Sequence, residues 1–292
     1  MSTFSIHTQP ALEPITLNEA KAHLHVTYTD EDALIAAIIT AARQYVEEHT
    51  WRAILTQTWN LFLDQMPGTC NFHLMYPSLA LSGGAIIKLP KGQLQTVDFY
   101  KYYDTSDVEQ TLTPNTDYRV DTYSEPARIQ QITTPSVYDK INAINIRFTC
   151  GWAITLGSAT VATSVAIATG TITYAAHGLV KGDPIQLSAL GSITGVSINT
   201  TYFVADYTSS TFTIASTVCG STIIFGGANT TPPTFKKVTT PLVPAPIKQA
   251  MLLQIGHLFA HREDVVVGTI ATVLDNSSKY LMSPYRLFRF NP

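Results

Sequence analysis

Residues 29–50 contain no glycine or proline, and Leu34, Ile35, Ile38, Ile39, Ala42, Tyr45, Val46 and His49 recur through them at helical spacing. Such a run makes one broad apolar stripe and predicts an amphipathic helix. Thr29 followed by Asp32 fits a capping-box start, and the acids at Asp30, Glu31 and Asp32 suit the positive end of the helix dipole. Burying about six large apolar side chains yields roughly 9–18 kcal/mol gross, against on the order of 20–40 kcal/mol for ordering about twenty backbones. Hydrogen bonds close part of that difference. The rest requires partner surfaces, so the remainder of the chain must supply them.

Two segments answer the requirement. Thr16-Leu17-Asn18-Glu19 is a capping box that opens a short helix to about Leu24, joined to the long one closely enough to pack as a hairpin. Near the far end, Pro246 sits where a first helical turn tolerates proline. Ile247, Ala250, Met251, Gln254, Ile255, Leu258 and Phe259 then give a second long amphipathic helix to about Glu263. This second helix is the expected partner of the first. The scaffold residues are Leu34, Ile38, Ile39, Tyr45, Val46, Ile247, Met251, Ile255 and Leu258.

Between the helices the period changes. Residues 1–14 read as an extended lead-in, and Leu55 to Leu63 alternate as a strand. Residues 67–84 are turn-rich without a clear period. Strands follow at 85–89, 96–103, 118–121, 128–130 and 144–149, separated by turn signals such as Lys91-Gly92 and Thr113-Pro114-Asn115. This is an antiparallel β unit of five or six strands.

After Gly151-Trp152 the composition shifts. From Ala153 to Phe235 the only charged residues are Lys181, Asp183 and Asp206, amid threonine, serine, alanine and glycine. Short alternating strands at 170–174, 183–187, 201–206, 211–215 and 221–225 carry a core of Tyr174, Leu179, Ile185, Leu187, Tyr202, Phe203, Val204, Phe212 and Ile214. The expected class is α+β: a helical layer from the N- and C-terminal segments with an antiparallel β unit, plus an inserted small all-β domain. Residues 1–152 and 241–292 form the first domain, with a C-terminal arm at 264–292, and residues 153–240 form the insertion. The arm is aromatic and basic, from Tyr280 to Phe290. It packs either on its own domain or across a neighbouring subunit, and its aromatic-plus-arginine composition favours the second.

Charged residues make up 13% of the chain, against about 25% in typical soluble domains, and the net charge is -3. A chain with that balance does not wrap nucleic acid by neutralising phosphates. Cys70, Cys150 and Cys219 are odd in number and widely spaced, which points to isolated reduced thiols rather than zinc or disulfides. The start lacks a basic flank with an apolar run, and no stretch approaches the roughly 18 apolar residues of a membrane helix. A soluble protein made in a cytoplasm is expected.

No reaction chemistry emerges. His257 and His261 stand four apart, but no glutamate follows His257 and no third ligand is evident. His23 and His25 have no nearby partner. His261-Arg262-Glu263-Asp264 resembles a kinase loop without its phosphate loop or metal motif, and no Gly-x-Ser-x-Gly elbow occurs. Tyr100, Tyr102 and Tyr103 beside Lys101 have the composition of a base-stacking surface, yet such a run is more often two faces of a strand. No catalytic residue, metal or cofactor is expected, and the chain is not read as an enzyme.

The ordered set of motifs resembles the head–tail connector (adaptor) proteins of tailed double-stranded DNA phages. It is carried by residues 15–24, the helix start at Asp30-Glu31-Asp32-Ala33-Leu34-Ile35, and Ala42-Arg43-Gln44-Tyr45-Val46-Glu47. Ile87-Lys88-Leu89-Pro90, Gly151-Trp152, residues 243–250, His261-Arg262-Glu263 and Pro284-Tyr285-Arg286 complete it. The resemblance covers about two thirds of the chain and leaves out the insertion, which is similar to small β modules of phage tail and fibre proteins. It implies a ring, commonly a dodecamer, docked beneath a portal protein, carrying the next neck or tail component and letting double-stranded DNA pass without sequence-specific binding. It places the protein in the virion neck after assembly in the host cytoplasm. Tyr280, Leu281, Met282, Tyr285, Arg286, Leu287 and Phe288 are the expected contacts to a neighbour or the portal. The alternative is a receptor- or glycan-binding tail component, with the insertion as reader through Tyr174, Tyr202 and Tyr207.

Overall fold

The structure is a computed structural model describing residues 2–66, 86–239, 243–261 and 276–287. The fold is α+β. Its contacts divide the chain into two compact units, one of Met1–Pro10, Glu47–Ala153 and Tyr285–Pro292, the other of Ala11–Val46 and Ile154–Pro284.

In the first unit, β1 (Ser2–Thr8), β2 (Gln57–Leu63), β4 (Leu94–Tyr103), β5 (Glu109–Thr111) and β8 (Ile144–Cys150) form a five-stranded sheet in the order β1-β2-β8-β4-β5. All its pairings are antiparallel. The register sets Leu61 opposite Ile146 and Leu63 opposite Ile144, with Tyr100 on the other side of Ile146. Paired residues share a face, so these side chains make one continuous apolar surface. A smaller antiparallel sheet of β3 (Ile86–Lys88), β7 (Arg128–Gln131) and β6 (Tyr118–Asp121) adds Ile87, Ile129 and Tyr118 to the same core. Gly151 closes the unit. Its φ is +104°, and a Cβ there would lie 2.2 Å from the Leu55 carbonyl oxygen. Only glycine fits where Trp152 bridges Leu55.

Among the described residues, the second unit holds four α-helices and a larger sheet. Helix α1 is Leu17–Leu24 and α2 is Asp32–Thr50, its last turn from Glu47 being grouped with the first unit. The Thr16 capping box forms as expected: Thr16 Oγ1 accepts from the Glu19 amide at 3.2 Å, and the Glu19 carboxylate accepts from the Thr16 amide at 2.9 Å. Strands β9 (Thr155–Leu156), β10 (Thr160–Val161), β11 (Ser164–Ala166), β12 (Thr171–Thr173), β13 (Pro184–Ala189), β15 (Thr201–Tyr207), β16 (Thr211–Ala215) and β18 (Thr234–Thr239) form one sheet. Its order is β10-β18-β13-β15-β16-β12-β11, with β9 also on β18, and β14 (Ile193–Thr194) pairs separately with β17 (Gly226–Gly227). Leu179, Ile185, Leu187, Val204, Phe212 and Ile214 fill its core. Helices α3 (Ala245–Ala260) and α4 (Asn276–Met282) complete the unit.

Several expectations are revised. Residues 221–225 form no strand, whereas β18, further on, joins the sheet between β10 and β13. The lead-in is an edge strand, and β5 was not foreseen. The turn-rich stretch from 67 onward lies outside the described residues. Helix α3 packs chiefly on α4 and α1 rather than on α2. The units also group the helices with the 154–239 sheet, not with the first β unit. The break at Ala153 matches the compositional shift.

Candidate functional site

Two constellations of buried charge organise the described residues, one in each unit.

In the first unit, α2 ends at Thr50 and Trp51 turns left-handed, with φ of 62°. A helix end leaves its last carbonyls without intrahelical partners, and the Thr50 carbonyl accepts from the Leu287 amide at 2.9 Å. Arg52, almost wholly buried, donates from Nε to the Tyr285 carbonyl and from a terminal nitrogen to Glu125 at 2.5 Å. A buried guanidinium needs such acceptors. The indole of Trp152 lies 5.9 Å from it. Lys91, also buried, sets its ammonium 4.3 Å from the Trp51 ring centroid, 4.9 Å from Trp59 and 5.6 Å from Phe4. Its carbonyl accepts from the Ala53 amide. These contacts anchor strand β1, the helix end and the C-terminal segment 285–287 to one corner of the sheet.

Nearby, burial pushes the Cys150 thiol up, a buried structural thiol and not a reactive one. The Tyr100 phenol is likewise raised, chiefly by burial and despite the hydrogen bond from Gln131.

In the second unit, the centre is Asp32. Its carboxylate meets Lys21 at 2.6 Å and Lys181 at 3.3 Å, and Lys21 also donates to the Tyr28 carbonyl at 2.7 Å. The expected capping role of Asp32 is thus replaced by an ion pair that ties α1 and α2 to the 154–239 segment. Lys181 sits in a turn closed by the Asp183 amide donating to the Val180 carbonyl at 3.0 Å. Gly182 occupies its left-handed position, φ +84°, and a Cβ there would lie 3.2 Å from the Leu17 side chain. Asp183 is held by Lys237 at 2.8 Å. The turn therefore presses a bare backbone against α1 while its lysine reaches α2. On the other side of α1, Glu19 meets Lys248 at 3.7 Å and His23 packs beside Gly256 of α3.

The expected scaffold is partly reproduced. Ile38, Ile39, Val46, Ile247, Met251 and Ile255 are buried, and Tyr45 is half-buried. Leu34 is 39% exposed because it falls outside the stripe of Ile35, Ile38, Ile39, Ala42 and Val46, and Leu258, in the last turn of α3, is 38% exposed. Of the expected interface residues, Tyr280 is 76% exposed and Arg286 is exposed, whereas Met282 is fully buried within its own chain. Leu281, Tyr285 and Leu287 are half-buried, and Phe288 lies outside the described residues. The segment at 285–287 thus docks on its own unit, because the buried Arg52 and the helix end both require its backbone.

The reader proposed for the insertion loses two of its three aromatics. Tyr174 packs edge-on against Phe235, and Tyr202 is buried with its hydroxyl accepting from the Ser197 amide; Tyr207 is exposed. His257 and His261 stack, ring centroids 4.8 Å apart, and no group of three metal-binding side chains occurs among the described residues. No described helix is long and apolar enough to cross a membrane. Sequence reasoning missed Arg52, Lys91 and Asp32 as organising residues, since their partners come from distant stretches with no linear spacing.

Residues 14–73 match the family model of phage gp6-like head-tail connector proteins, a span that includes α1, α2 and β2. Over that segment the chain resembles gp6-like connectors. The matched segment contains Asp32, Arg52 and the left-handed exit at Trp51. The fold as a whole is similar to a chain in the neck of an empty gene transfer agent particle computed with C6 symmetry. That likeness has a TM-score of 0.51 and 13% identity, and covers 99% of this chain and 97% of that one. A chain of a native gene transfer agent virion gives the same TM-score at 14% identity and the same coverage. No curated protein sequence matches significantly.

Proposed function

We propose that this protein is a structural head–tail connector in the neck of a tailed double-stranded DNA phage or a related particle. It works by assembling into a ring between the portal and the next neck or tail component, with DNA passing through without sequence-specific contact. The observation that carries the reading is the family match over residues 14–73, set within a fold that is similar over nearly its whole length to a neck chain. The low charge and net charge of -3 agree with a wall that DNA slides past. No reaction is assigned to the protein.

The exposed Tyr280 and Arg286 are the residues assigned to contact with a neighbour or the portal. Residues 153–240 remain the proposed insertion, fixed on the helices through the 180–183 turn rather than tethered. The receptor-binding reading is left with Tyr207 as its aromatic contact.

Mass measurement and negative-stain imaging of purified protein, alone and mixed with portal rings, test the proposal. Rings, or decoration of portal rings at one end, are expected. A monomer that never joins portal overturns it. A protein lacking 153–240 that assembles normally but abolishes host attachment would favour the alternative.

A further inference from the structure

Among the described residues, two helix faces, one on α2 and one on α3, are exposed. On α2, Leu34, Ala37, Ala41, Gln44 and Glu48 are exposed along one stripe, opposite the buried Ile35, Ile38, Ile39, Ala42 and Val46. Asp30 continues that stripe upstream. On α3, Ala245, Gln249, Leu253, His257 and Ala260 form a second exposed stripe, opposite Ile247, Ala250, Met251 and Ile255. Lys248 is the sole Lys, Arg, Asp or Glu in α3, and it turns toward Glu19. A helix with so little charge on any side is ordinarily covered all round.

We propose that these faces cover each other between neighbouring copies, α3 of one subunit lying on α2 of the next. The inference rests on the ring reading above and names the contact that builds the ring. At 1.5 Å per residue the stripes are about 21 Å and 22 Å long, so they match in extent. Each carries one leucine and two alanines, and around these the helix axes can approach to the usual 8–10 Å.

Charge selects the pairing. The α2 stripe carries Asp30 and Glu48 and no cation, whereas α3 offers the His257 imidazole, with His261 just past its end, and no acid. His261 Nδ1 lies 3.2 Å from the His257 carbonyl, and donating to it leaves Nε2 as an acceptor. Pairing α2 with α2 about a two-fold axis would set acids near acids. Pairing α3 with α3 would leave the leucine stripe of α2 bare. Only the unlike pairing uses both faces, and a contact between unlike faces repeats from copy to copy until rotation closes it.

The test is disulfide trapping in the full chain with Cys70→Ser and Cys219→Ser. Ala37→Cys with Leu253→Cys, and Ala41→Cys with Leu253→Cys, are oxidised mildly and run on non-reducing gels beside native mass measurements. An interchain ladder up to the ring size from at least one pair is expected, with no more than dimers from each single cysteine. Leu253→Asp, at an exposed position, is expected to lower the assembled fraction at least tenfold with an unchanged unfolding midpoint. Rings that form normally but give only intrachain products or none, and that tolerate Leu253→Asp, overturn this contact while leaving the ring standing. A wild-type chain that never assembles, alone or with portal, removes the ring reading and this inference together.

Discussion

At the scale of the residue, a few charges, Asp32, Arg43, Arg52, Lys91 and Asp183, are buried and held by partners from distant stretches. Arg52 is the clearest case, since its two acceptors, Tyr285 and Glu125, come from separate stretches of the first unit's sequence. Arg52→Ala removes both charge-assisted bonds, with an expected loss of about 2–3 kcal/mol in urea unfolding and faster proteolysis after residue 282. Tyr100 gives a pH signature. Its phenol is held above its ordinary value, so its contribution is fully present below about pH 10 and is lost as pH rises beyond that. Stability measured between pH 9 and 11 should fall more steeply in the wild type than in Tyr100→Phe. Asp121 gives the opposite sign. Arg128 first, then Ser124, hold its carboxyl down at about 2, so the stabilisation is present above about pH 4 and disappears as pH falls toward 2. Asp121→Asn should flatten that acid limb.

At the scale of the element, local pattern and long-range pairing were legible to different degrees. Helices α1, α2 and α3 were readable because apolar spacing, the Thr16–Glu19 box and Pro246 agree with one another, and most strands of both sheets follow from alternation. The pairing of helices was not. Every apolar stripe asks for a partner, but nothing in its spacing says which, and Leu34 and Leu258 were assigned to the core for that reason. Strand β18 was missed because its Lys236 and Lys237 break the apolar pattern, although Lys237 is there to meet Asp183. The candidate site was the least legible part. Asp32 read as a helix-capping acid, and only the fold brings Lys21 and Lys181 to it. Asp32→Asn should cost about 2 kcal/mol, reduced from the value for a fully buried pair because Lys181 is partly exposed. Hydrogen exchange should then rise in the 180–183 turn and in α1. Gly151→Ala is expected to cost about 3 kcal/mol or more, since the added methyl meets the Leu55 carbonyl at a φ that alanine avoids.

At the scale of the whole molecule, the proposal is an object whose work is done by standing in line with its neighbours. A chain of this charge should not retard duplex DNA at about 150 mM salt, and a gel-shift assay over a salt series checks that expectation. Substituting Tyr280→Ala should leave unfolding unchanged while weakening attachment to portal, measured by co-sedimentation. The turn at Gly182 also bears on how such particles diversify. A foreign β module grafted between 153 and 240 is expected to seat best when it brings to Leu17 a residue with no side chain and a neighbouring cation for Asp32. Exchange of modules among particles is then limited less by the breadth of the host surface than by this small keyhole, which admits some donors and turns away the rest.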